Sequence, residues 1–109
     1  MRDVVFERLC DLLGEPNRPT VKDWRWELPL GLSVMLEKEV DVATLWLPWP
    51  FGDWECPAFG EVYDETRGRN TGTFALANLG RNCPALRLKL DSITAINETM
   101  RRIAAMKGR

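Results

Sequence analysis

Residues 40–54 read VDVATLWLPWPFGDW, and this stretch decides the fold. After Asp41, both alternating sets of side chains up to Leu47 are largely apolar. A β-strand of this kind needs cover on both faces, because each face would otherwise expose apolar surface to water. The stretch therefore predicts a central strand over residues 40–47 of a sheet. Pro48 ends this strand, since proline has no N–H to donate to a sheet ladder.

Segments on either side of the central strand alternate between apolar and polar residues, with the period of two that half-buried strands show. The predicted strands cover residues 23–28, 32–36, 59–63, 73–79 and 85–90. In the last of these, the leucines at even positions would face the core, while Arg87 and Lys89 share the outer face. Together with the central strand, the pattern predicts a sheet of five or six mostly antiparallel strands.

Two segments with a helical period flank the strands. Apolar residues recur at three- and four-residue spacing over residues 3–13, and again over residues 93–106 after Asp91 or Ser92 as N-cap. The sequence therefore predicts an α+β fold, with one mostly antiparallel sheet of five or six strands flanked by an N-terminal and a C-terminal helix. A chain of 109 residues fits a single domain, residues 1–109.

The composition argues against an enzyme. The chain has no histidine, which removes the usual general base and the commonest transition-metal ligand. Its three cysteines are widely spaced and form no Cys-x-x-Cys pair, so the sequence predicts neither a zinc site nor a disulfide framework. We therefore expect no catalytic residues, no metal and no cofactor.

Nothing in the sequence indicates a membrane protein or an exported one. No apolar run approaches the ~18 residues that a membrane span needs. The first residues, MRDVVFER, alternate charged with apolar side chains and lack the apolar core of a signal peptide. The resulting prediction is a cytoplasmic protein with reduced thiols.

The formal net charge of −1 hides a segregation of charge along the chain. Residues 39–65 hold seven acidic residues and no basic one, whereas residues 66–90 hold five basic residues and no acidic one. On one interpretation, acidic and basic strands lie side by side and neutralise each other. On the other, the molecule has one acidic and one basic face, each suited to a partner of opposite charge.

Three aromatic residues follow the central strand: Trp49, Phe51 and Trp54. As structure, their rings would fold over the sheet as a hydrophobic lid. As function, they would anchor the chain to another protein, with Asp53 and Glu55 as an acidic rim around them. The sequence leaves both interpretations open.

The leading hypothesis is a non-enzymatic protein-interaction module, of the inhibitor, adaptor or immunity type, that docks on a basic protein surface through this acidic, tryptophan-rich loop. One alternative is a nucleic-acid-binding accessory protein whose basic residues contact phosphates: Arg67, Arg69, Arg81, Arg87 and Lys89. A second alternative is a small metal-dependent hydrolase or nuclease built on three carboxylates: Asp41, Asp53 and Glu55. Exposed aromatic rings that meet across a two-fold axis would instead give a homodimer.

Overall fold

A computed structural model describes residues 2–29, 31–38, 41–64, 68, 73, 76–80 and 82–108. Within these residues the predicted α+β fold is confirmed, with one antiparallel five-stranded sheet flanked by an N-terminal and a C-terminal helix. In chain order the elements are α1 (Arg2–Leu13), β1 (Asp23–Leu28), β2 (Leu32–Glu37), β3 (Ala43–Pro48), β4 (Gly60–Tyr63), a short 3-10 helix (Ala77–Leu79), β5 (Ala85–Leu90) and α2 (Ile93–Lys107). The strands lie in the order β1-β2-β3-β5-β4.

Strand β3 takes the central position that its apolar pattern predicts. It lies between β2 and β5, and five of its six residues are buried. Its first residue, Ala43, pairs with Leu90, and its last, Pro48, pairs with Ala85. The predicted start at Val40 lies outside the described residues. Asp41 and Val42 form a bend in which Val42 is 40% exposed, so the described strand begins at Ala43.

Both helices cover the same face of the sheet. Val5 and Leu9 of α1, and Ile96 and Ile103 of α2, belong to one core cluster with the inward-facing leucines of β3 and β5. The ring of Phe6 in α1 lies 4.4 Å from that of Trp24 in β1, which places α1 over that side of the sheet. We call this side of the sheet the helical face.

The predicted strand over residues 73–79 is wrong for its described part, because residues 77–79 form the 3-10 helix. Leu76 and Leu79 pack against Met35 and Trp46 on the sheet face opposite the helices. Their spacing of three residues places both side chains on one side of a 3-10 turn. The turn thus covers the second face of β3.

A carboxylate from β1 holds the start of this 3-10 helix. Glu27 accepts a hydrogen bond from the backbone N–H of Ala77 at 2.6 Å, and its other carboxylate oxygen accepts one from Arg18. These two donors, the backbone N–H first, hold the pKa of the Glu27 carboxyl below its usual value. Asn78 adds a hydrogen bond to the Ser33 hydroxyl at 3.1 Å.

The Ser92 hydroxyl caps α2 by accepting a hydrogen bond from the backbone N–H of Ala95 at 3.1 Å. This is one of the two caps that the sequence predicts. The outer edge of β1 is also covered, because the backbone of Arg18 and Thr20 donates to carbonyls of that strand. None of the helices in the described residues is both long and apolar enough to cross a membrane.

Candidate functional site

The chain between β3 and β4, residues 49–59, packs on the helical face beside α2, and we call it the aromatic segment. Phe51 is 2% exposed and Trp54 is 5% exposed. The centroid of the Trp54 ring lies 6.5 Å from that of Phe51 and 6.2 Å from that of Phe59. These rings join the same core cluster as the leucines of β5. The segment therefore completes the apolar layer on this face without a third helix.

The burial of Phe51 and Trp54 agrees with the hydrophobic-lid interpretation. To anchor a partner, both rings would have to leave the core, and a buried aromatic side chain gives up about 3–5 kcal/mol when its core contacts are lost. Trp49 is half-buried against the same cluster. Asp53, between Phe51 and Trp54, and Glu55, directly after Trp54, are by contrast both exposed.

Asp53 and Glu55 lie on a cleft of about 440 Å³ between the aromatic segment and α2, which we call the acidic cleft. Its lining residues are Asp53, Trp54, Glu55, Cys56, Pro57, Glu98 and Arg102. The three carboxylates and one guanidinium among these described lining residues sum to a formal charge of −2. The structure thus brings the two predicted acidic rim residues together with a third acid from α2.

Of the residues that the structure describes, Arg102 is the one basic residue that lines the acidic cleft. A guanidinium nitrogen of Arg102 lies 3.3 Å from a carboxylate oxygen of Asp53, and its central carbon lies 5.7 Å from the centroid of the Trp54 ring. The Asp53 side chain is 90% exposed, so water screens this ion pair and it contributes little to stability. The position of Arg102 shows that a guanidinium fits over the Trp54 ring next to the Asp53 carboxylate.

Sequence reasoning did not identify Glu98 and Arg102 as site residues. The two residues are four apart in α2, a spacing that places both side chains on one flank of the helix beside its apolar stripe. That spacing was the available signal. It does not indicate which other segment lies against the flank, because only the folded chain brings the aromatic segment there.

Of the predicted nucleic-acid contacts, Arg67, Arg69 and Arg81 lie outside the described residues. Arg87 and Lys89 lie on the sheet face opposite the helices, on a cleft of about 270 Å³. Two acids, Glu61 and Asp91, line the same cleft, and Glu61 stands directly opposite Arg87 in the pairing of β4 with β5. At this place the acidic and basic parts of the chain meet on neighbouring strands, as the neutralisation interpretation predicts.

The carboxylates Asp41, Asp53 and Glu55 are all described, and no three potential ligands in the described part of the chain are placed to hold a metal ion. The structure thus gives no geometric support to a metal-dependent active site at these residues. Two cysteines differ in setting. Cys56 is exposed in the acidic cleft, whereas Cys10 is half-buried and burial raises the pKa of its thiol.

No family model, curated protein or solved structure matches this chain. Among the clefts described above, the acidic cleft combines an excess of charge with a position fixed by buried rings.

Proposed function

We propose that this protein is a small, non-enzymatic interaction module that docks on a basic surface of another protein through the acidic cleft. One observation supports the proposal: Asp53, Glu55 and Glu98 meet in one open cleft where, among the described residues, Arg102 is the only lining cation. Excess negative charge on a surface attracts a partner with lysine or arginine side chains and speeds their encounter.

The aromatic residues support this role from beneath the surface. Phe51 and Trp54 are buried on either side of Asp53, and the backbone N–H of Trp54 donates to the carbonyl of Phe51 at 3.2 Å. Gly52 has a φ of 60° within this turn, a conformation that favours glycine. The backbone that carries the Asp53 side chain is therefore fixed before a partner arrives, which lowers the entropy cost of binding.

The contact between Arg102 and Trp54 suggests which partner side chain fits the cleft. Arginine is planar, stacks on aromatic rings and binds a carboxylate through two parallel N–H donors. A partner arginine would pair with Glu55 or Glu98 and compete with Arg102 for Asp53. We therefore propose an arginine-bearing protein surface as the partner. A cytoplasmic location for this encounter stays a prediction from the sequence.

The test is a comparison of two double variants in affinity capture from the native host. The cleft variant carries Asp53→Asn and Glu55→Gln, and the control variant carries Glu15→Gln and Asp41→Asn, two exposed acids outside the cleft. A protein that binds the cleft should be captured in equal amounts by wild type and the control variant, and in an amount about tenfold lower by the cleft variant. Retention of every captured protein by both variants in equal amounts would show that the proposal is wrong.

A further inference from the structure

The two helices form a layer whose outer surface carries charges of opposite sign on its two halves. In α1 the charged residues of highest exposure are acidic, namely Asp3, Glu7 and Asp11, while Arg2 and Arg8 are partly buried. In α2 the charged residues of highest exposure are basic, namely Arg101 and Lys107, while Glu98 and Arg102 are partly buried on the flank that lines the acidic cleft. A guanidinium nitrogen of Arg8 donates to the Asn97 side chain at 2.9 Å, and Lys107 donates to the Leu12 carbonyl. These contacts place the helices side by side and pointing the same way.

Two exposed aliphatic residues lie on the same surface. Val4 is 43% exposed and Ile93 is 56% exposed. Each lies four residues, or about one helical turn, before a member of the Arg8–Asn97 contact. Val4 and Ile93 therefore lie at one level near the N-terminal end of the layer, and Asp11 and Arg101 lie about two turns further along it. We call this surface the outer helical face.

We propose that two copies of this chain pair through their outer helical faces, about a two-fold axis that runs parallel to the helices. Such an axis brings α1 of one copy against α2 of the second copy. A two-fold axis across the helices would instead place α1 on α1, with acid facing acid. Opposite charges on the two helices thus select one pairing from the two.

The same axis brings matching levels of the two helices together. Val4 would meet Ile93 of the second copy, and Asp11 would meet Arg101 of the second copy. Asp11 follows Val4 by seven residues and Arg101 follows Ile93 by eight, so at 1.5 Å per residue the two levels differ by only about 1.5 Å. Two apolar pairs and two ion pairs would then form in each dimer.

The size of the face sets the strength of this association. Helices of 12 and 15 residues are about 18 and 22 Å long, and side by side they cover roughly 400 Å². This footprint is about half of the ~800 Å² that each partner buries in a standard stable interface. We therefore expect a dimer that forms in the upper micromolar range and dissociates on dilution.

Sedimentation velocity of the full chain between about 10 and 500 µM tests the pairing. Asp11→Lys or Arg101→Glu alone turns both ion pairs of a dimer into pairs of like charge, and each variant should weaken association roughly 10- to 30-fold. The double variant recreates both pairs with reversed sign and should recover wild-type association. Lys22→Glu, an exposed cation outside this face, is the matched control and should change nothing. Circular dichroism verifies that each variant is folded.

Three outcomes would overturn the proposal. The first is a wild-type chain that stays monomeric at the highest concentration. The second is a dimer that neither single reversal weakens, because its contact would then lie elsewhere. The third is a double variant no better than the single ones, since the two residues would then not face each other.

Discussion

Replacing Trp54 by alanine tests whether the Trp54 ring stabilises the fold or serves to bind a partner. The ring is 5% exposed and packs near Phe51 and Phe59, with the Arg102 guanidinium over it. Truncating a buried tryptophan to alanine costs about 3–5 kcal/mol, and each aromatic pair adds roughly 0.5–1.5 kcal/mol beyond its buried area. Since small domains are stable by about 5–15 kcal/mol, we expect Trp54→Ala to remove around half of the stability or more.

Urea unfolding followed by far-ultraviolet circular dichroism measures this loss, because four other tryptophans would complicate a fluorescence signal. Trp49→Ala is the matched control: its ring belongs to the same segment but is only half-buried, so its cost should be about half as large. A loss below about 1 kcal/mol for Trp54→Ala would refute the reasoning. It would mean that the ring spends its time outside the core, as a docking anchor would.

Two further predictions concern titratable groups. The pKa of Glu27 is held below its usual 4.5, so its carboxylate stabilises the fold above that value, and this contribution is lost as the pH falls through the folded-state pKa. Glu27→Gln should therefore lower the free energy of unfolding at pH 7 by about 1–2 kcal/mol and make stability fall less steeply with acid. If denaturant melts show the same acid dependence for Glu27→Gln as for wild type, the contact with Ala77 is contradicted. Iodoacetamide at pH 7 should alkylate exposed Cys56 well before Cys10, because the pKa of the Cys10 thiol is raised chiefly by burial. Peptide mass spectrometry measures the two labelling rates, and equal rates in the folded chain would show that Cys10 is not protected.

Periodicity in the sequence was sufficient to predict most of the sheet and both helices. Strand β1 matches its predicted range, because an alternating strand with one buried face leaves its pattern in the residues themselves. The central place of β3 followed from a different signal, the apolar residues on both of its faces. Both signals lie within a few consecutive residues, so the sequence alone is sufficient to detect them.

The error at residues 73–79 has a non-local cause. Apolar side chains at positions 74, 76 and 79 allow either a strand or a turn, and the backbone takes the 3-10 turn where Glu27, fifty residues earlier in the chain, accepts the N–H of Ala77. The same limit applies to the acidic cleft. The sequence predicts Asp53 and Glu55 as an acidic rim, whereas Glu98 and Arg102 come next to them only through tertiary packing.

The charge segregation of the chain has two different outcomes in the fold. On the sheet, Glu61 from the acidic part of the sequence stands opposite Arg87 from the basic part on neighbouring strands, so their charges offset each other there. Asp53 and Glu55 leave the sheet with the aromatic segment, and the lining cation they meet is Arg102 from α2. Because three carboxylates share this one guanidinium among the lining residues in the described ranges, the charges of those residues do not cancel. A positively charged side chain from outside the molecule would lower the electrostatic energy of the cleft more than it would at the paired strands.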